Sequence, residues 1–217
     1  MNKAASQNQF RSKKFGFAVL VLLHTIGAFG FVSPLSQWFV FLTPVNLVVT
    51  AGIIYIDTVP GKHTAWPIAL FIAVMGYVVE IAGVKTGLLF GNYQYGEVLG
   101  WKFFEAPPII GVNWLIVVWG GFSLAYSLKV PMAFRWLVSA AFITALDFLI
   151  EPVAVHFGFW SWADGVIPFQ NYVGWFVLAS IMSLIFEFYP LVHKPRMGIV
   201  ALVCQFLFFG ALAYYIS

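Results

Sequence analysis

Charge is what this sequence has least of. Only 9% of its 217 residues are Asp, Glu, Lys or Arg, against roughly 25% in a soluble globular domain. With 62% hydrophobic residues and a mean hydropathy of +0.92, the chain is an integral membrane protein. No acidic or basic tail is present, so nucleic acid is not an expected partner. A single cysteine, Cys204, rules out an internal disulfide; lying in an apolar run, it reads as a small buried residue.

Other absences narrow the chemistry. The four histidines are isolated, whereas a membrane di-iron hydroxylase needs them in clustered boxes. There is no GxGxxG fingerprint, Walker loop, CxxC or HExxH. No DDxxD pair is available to hold a prenyl diphosphate through magnesium. The last apolar run, 197–216, lacks the lysine that a retinal Schiff base requires. No metal and no cofactor is expected. Carboxylic acids, hydroxyls, a few amides and aromatics remain, and that set supports acid–base chemistry.

Seven apolar runs are present, at about 15–32, 36–56, 65–85, 109–128, 132–152, 171–190 and 197–216. Each is close to the roughly 20 residues that cross a bilayer core as a helix. Lipid offers no partner for a free backbone group, and the runs lack the alternation of barrel strands. The expected fold is therefore all-α and polytopic, one transmembrane helical domain over 1–217. The basic start before the first run resembles a signal sequence; six further spans follow, so it reads as an uncleaved first helix. Orientation follows from basic residues in the connections. Lys3, Arg11, Lys13, Lys14, Lys62, Lys129, Arg135, Lys194 and Arg196 fall on one side, and only Lys85 and Lys102 on the other. Nine against two puts the N-terminus in the cytoplasm of a multi-pass cell-membrane protein.

In this topology the intramembrane carboxyls gather in the outer leaflet. Glu80 ends the third span, and Asp147 and Glu151 occupy the outer half of the fifth. Residues four apart on a helix differ by only about 40° in direction, so Thr144, Asp147 and Glu151 form one polar stripe. Pro152 should end or kink that helix at Glu151. Tyr93, Tyr95, Asn113, Trp114, Trp160, Asn171 and Trp175 lie at the same end. Bland readings stand beside these. Trp160 and Trp162 read first as interface anchors, the glycine-rich run from Gly83 to Gly100 as a turn-filled loop, and His24 as a hydrogen-bond partner of a neighbouring helix. Glu187, near the cytoplasmic end, reads as snorkelling or paired.

The three outer carboxyls resist a bland reading, because a carboxylate deep in the bilayer costs on the order of 3 kcal/mol. Two such groups close together cannot both ionise easily, so one of Asp147 and Glu151 is expected to keep a proton. A protonated acid beside an ionised base is what adding water to an alkene requires. Aromatic faces are suited to stabilising the carbocation between the two steps.

The segments TGLLFGNYQYGEVLG (86–100), Asn113–Trp114, the DxxxEP of Asp147, Glu151 and Pro152, GFWSW (158–162) and PxxNxxGW (168–175) together resemble the CruF-type carotenoid hydratase family. The likeness runs from about Glu80 to Trp175. It implies a cofactor-independent enzyme that adds water across the terminal C-1,2 double bond of an acyclic (ψ) carotenoid end group, giving a tertiary alcohol.

The roles that follow are inferred from the residues. Asp147 is the first choice for the acid that protonates C-2, with Glu151 or Glu80 taking the proton from the attacking water. Asn113, Tyr93 and Tyr95 are expected to orient that water; Trp114, Trp160 and Trp175 wall the cation, and Asn171 joins the substrate site. The expected partners are a lipophilic carotenoid and membrane lipid. Two alternatives remain: a cyclase or isomerase using the same cation, and a proton-coupled carrier or lipid-binding protein. A carrier would commonly show internal repeats and helices broken near the midplane. No repeat is visible, and the polar groups crowd one leaflet.

Overall fold

A computed structural model describes residues 3–58, 66–189 and 196–217, with backbone only for 3–13. Of the residues that set the orientation, Lys62 and Lys194 lie outside the described residues. Among the described residues, eight helices and two short strands run in the order α1 (Lys3–Phe31), α2 (Ser36–Phe41), α3 (Thr43–Thr58), α4 (Trp66–Thr86), β1 (Tyr93–Tyr95), α5 (Ile109–Ser127), α6 (Met132–His156), β2 (Trp160–Trp162), α7 (Phe169–Glu187) and α8 (Arg196–Ile216). The protein is all-α and polytopic. Among the described residues, six helices are long and apolar enough to cross a membrane.

The second expected span, 36–56, is divided at Leu42 into α2 and α3. Pro44 supplies the break: it has no N–H to give to the preceding turn, and its ring crowds that turn's carbonyl. The 16 residues of α3 reach about 24 Å at 1.5 Å each, short of a core of roughly 30 Å. Of the two outcomes expected at Pro152, an end or a kink, the end does not occur. The helix continues past Glu151 to His156, because Val153 and Ala154 are packed into the core and hold the last turn despite the lost hydrogen bond.

Helix α5 is the centre of the bundle and packs against α3, α4, α6, α7 and α8. Trp114, Val117, Val118, Trp119 and Phe122 along it are fully or almost fully buried. The start of α6 meets the end of α7, and the start of α8 lies by the ends of α3 and α5. By the basic-residue rule these ends face the cytoplasm.

At the opposite, outer end, β1 and β2 pair antiparallel as Tyr93 with Trp162, Gln94 with Ser161 and Tyr95 with Trp160. Side chains alternate across a strand. Gln94 and Ser161 therefore face outward and bond each other at 3.3 Å, while two tyrosines and two tryptophans point down into the bundle. This ribbon is what positions the site.

Candidate active site

The four inward aromatics of the ribbon meet two carboxyl groups. Tyr93 and Tyr95 donate their hydroxyls to Glu80 Oε2 at 2.6 and 2.7 Å, and Trp114 Nε1 donates to Glu80 Oε1 at 2.8 Å. Trp160 and Trp162 donate their indole N–H groups to Glu151 Oε2 at 3.0 and 2.9 Å. Asn171 Nδ2, from the first turn of α7, bridges Glu151 Oε1 at 3.1 Å and Asp147 Oδ2 at 2.9 Å.

Small residues on α4 make room for this set. Gly76, Glu80 and Gly83 share one face, at i, i+4 and i+7. A Cβ on Gly76 would stand 2.5 Å from Trp114 Cβ, and one on Gly83 would stand 2.6 Å from the Phe90 ring and 3.0 Å from the Tyr93 hydroxyl. The glycines thus admit the rings on either side of the carboxyl. Trp114 then stacks on Trp175, with centroids 4.2 Å apart and planes 22° from parallel.

Glu80 and Glu151 line one small cavity together with Phe90, Tyr93, Tyr95, Ile110, Trp160, Trp162, Asn171 and Trp175. Its volume is about 20 Å³, enough for a single water. Asp147 is completely buried and stands behind Asn171, outside the lining. Its Oδ1 and the hydroxyl of Thr144 are buried without a hydrogen-bond partner. Burial first, and the Glu80 charge second, push the Tyr93 and Tyr95 phenols far above their ordinary range, so both stay protonated donors. Among the described residues, no group of three or more His, Cys, Asp or Glu side chains is placed to hold a metal ion. Carboxyl oxygens ringed by O–H and N–H donors are arranged to manage protons.

A larger cavity, about 260 Å³, adjoins this chamber and shares Ile110 and Trp160 with it. Its walls come from α1, α2, α3, α5, α6 and α8 and are mainly apolar. Ile26, Leu42 and Val45 in its lining are more than half exposed, so it reaches the lipid-facing surface beside α1 and α3.

Of the candidate residues, Glu80, Glu151, Tyr93, Tyr95, Trp160, Asn171 and Trp175 surround the chamber; Trp114 backs it, and Asp147 lies one layer behind. Asn113 lines the larger cavity instead. Trp160 and Trp162 are buried on Glu151, which overturns their reading as interface anchors, and within the turn-rich run from Gly83 to Gly100 the residues Tyr93–Tyr95 form a paired strand. His24 bonds the Leu20 carbonyl of its own helix, not a neighbour. Glu187 pairs with Arg135. Phe90, Ile110 and Trp162 are the chamber residues that sequence reasoning did not assign to the site, and Trp162 is the one that bonds a carboxyl. The YxY and WxW alternations were the available signal, since period two with inward aromatics is the mark of a half-buried strand.

The model of the carotenoid biosynthesis protein family matches residues 37–216, and the chain belongs to that family. A region of 120 residues is 30% identical to a protein named bisanhydrobacterioruberin hydratase from Haloarcula japonica. The match covers 52% of this chain and 41% of that protein, so the chain spans well under half the length of this relative. No solved structure matches.

Proposed function

We propose that the protein is a carotenoid hydratase that adds water to the terminal C-1,2 double bond of an acyclic end group. The family and the hydratase relative support the broad role. One observation carries the finer reading: two carboxyls, each held by three neutral donors, face a water-sized cavity beside an apolar cavity open to lipid.

In the proposed reaction the end group enters from the larger cavity, displacing the Ile110–Trp160 partition. Asp147 and Glu151 hold one proton between them. Asp147, with an undonated oxygen, stores it, and Glu151, facing the chamber, passes it to C-2. The alkene π electrons form the new C–H bond and leave a tertiary cation at C-1. Trp175 and Trp160 offer π faces to that cation. The chamber water attacks C-1 through oxygen, and Glu80 takes the proton it loses. That proton returns to the Asp147–Glu151 pair, so hydration consumes no net acid and needs no redox partner. Trp114, Tyr93 and Tyr95 fix the Glu80 carboxylate, and with it the direction of attack.

The test is expression of the full chain in a host that accumulates an acyclic ψ-ended carotenoid. The expected pigment is heavier by one water. Unchanged pigment, or an isomer of unchanged mass, would reject hydration, and the isomer would favour a cyclase.

A further inference from the structure

The seam between α6 and α7 carries polar groups that the reaction above leaves unused. Arg135 at the start of α6 pairs with Glu187 at the end of α7, and Asn171 at the start of α7 bonds Asp147 and Glu151 late in α6. The two helices are therefore antiparallel, and their i, i+4 rows meet in successive layers. Next to Arg135 and Glu187 lie Ser139 and Ser183, whose hydroxyls are 2.8 Å apart with either one able to donate. Ile143 and Ala179, both fully buried, fall in the following layer, and Asp147 in the one after. Thr144 and Ser180 each follow a member of the apolar layer by one residue, so both flank it on the same side. Among the described residues, Glu187 Oε2, Ser180 Oγ, Thr144 Oγ1 and Asp147 Oδ1 are buried without a hydrogen-bond partner.

A serine pair across a helix seam is ordinary packing in lipid. Unmet oxygens on both sides of that pair, from Glu187 to Asp147, are not, because burying each without a partner opposes folding. From residue 139 to residue 147 the helix rises about 12 Å, and the hydroxyls of Ser180 and Thr144 divide that interval into steps that water bridges. We propose that the seam is a proton path, a file of hydroxyls and waters leading from the cytoplasmic end of the bundle to Asp147. Glu187 stays ionised against Arg135 and holds the first water by Oε2. Along the file each oxygen gains one O–H bond and gives up another, so the net change is one proton moved to Asp147 Oδ1. No charge is left behind, no redox partner is needed, and rotation of the hydroxyls resets the file. Hydration returns its proton to the Asp147–Glu151 pair, so the path charges and maintains the acid instead of supplying each turnover. The use of that proton rests on the hydratase reading, whereas the path itself is measurable without turnover.

The experiment needs no substrate. The purified full chain in lipid nanodiscs is moved into deuterated water, and infrared spectroscopy follows the carbonyl stretch of the protonated carboxyl as it takes up deuterium. That band is assigned by its loss in Asp147→Asn. Thr144→Val, which keeps the side chain's shape, and Ser139→Ala/Ser183→Ala are each expected to slow uptake by about tenfold, equivalent to one hydrogen bond lost from the file. Thr144→Ser, which keeps the hydroxyl, should exchange at the wild-type rate. A purely structural role predicts the opposite sign, because a loosened seam opens more often and exchanges faster. Thr144→Val decides the matter if the serine variant does not fold. Uptake as fast as wild type or faster in Thr144→Val, slowing by Thr144→Ser equal to that by Thr144→Val, or no protonated carboxyl that depends on Asp147 would overturn the path. An acyclic polyene is then added to the wild-type samples and assayed for hydration. Slowed uptake in the variants without hydration by wild type would leave the path standing and reject the hydratase reading; hydration with uptake unchanged in Thr144→Val would do the reverse.

Discussion

The two ends of the α6–α7 pair hold acidic side chains in opposite ways. At the cytoplasmic end Glu187 is paired with Arg135, whose guanidinium also donates to the Val130 carbonyl and stacks on Tyr126. Ser139 and Ser183 close the next layer with a 2.8 Å bond between hydroxyls. At the outer end Asp147 and Glu151 meet only neutral donors, as Glu80 does across the chamber. A carboxylate opposite a guanidinium is fixed as an ion and serves the fold. A carboxyl among amides, indoles and phenols has its geometry fixed and its proton left movable. The same residue type in the same helix pair is thus ion-paired at one end and held by neutral donors at the other, where the proposed reaction uses it to transfer protons.

The largest effect should separate the ends by chemistry. Glu80→Gln and Glu151→Gln are expected to lower hydration by on the order of 10²–10⁴-fold with the bundle intact in detergent. Glu187→Gln should change turnover per folded molecule little. Comparable turnover losses at all three positions would erase the distinction.

Stability should separate them in the other direction. Arg135→Met leaves Glu187 buried and unpaired, which is expected to cost about 3–5 kcal/mol. The double variant Arg135→Met/Glu187→Met should recover most of it. Chemical denaturation of the two variants measures this, and a double variant as unstable as the single would contradict the ion-pair account.

A smaller effect probes the donor ring. Trp162→Phe removes one of two indole bonds to Glu151 Oε2 and should reduce hydration by about tenfold, the value of a hydrogen bond to a charged group. Trp101→Phe, at an exposed outer position, should change nothing; equal losses would make the Trp162 bond irrelevant.

The bundle was legible because lipid permits so few backbone solutions, and long apolar runs without alternation leave only helices. The carboxyl stripe was legible because i, i+4 spacing is decided within one helix. The ribbon was not. Tyr93–Tyr95 and Trp160–Trp162 are far apart in sequence, and each is only three residues long. Neither segment alone says that the other completes it. That Asn113 lines the larger cavity was not readable for a similar reason: which cavity a residue on α5 lines depends on helix rotation, set by Trp114 seating against Gly76. The break at Pro44 was readable in principle, whereas the continuation through Pro152 depended on tertiary packing.

The smallest effect concerns the lid's own donors. A folded-state phenol held above its ordinary value of about 10 contributes stability that is full below that pH and lost as pH rises beyond it. Tyr93 and Tyr95 should therefore resist ionisation above pH 10. Tyrosinate absorbance should rise less in the folded protein than in the unfolded chain, and stability should fall above pH 10 by less in Tyr93→Phe. Full ionisation of all nine tyrosines without unfolding would contradict the lid geometry.

The central claim is that donor-held carboxyls over a one-water chamber hydrate an alkene. Its most direct test supplies an acyclic polyene to the purified protein in water labelled with heavy oxygen. Wild type should place one labelled oxygen in the product alcohol, and Glu80→Gln should place essentially none. Oxygen drawn from air, or label incorporated equally by Glu80→Gln, would contradict the account.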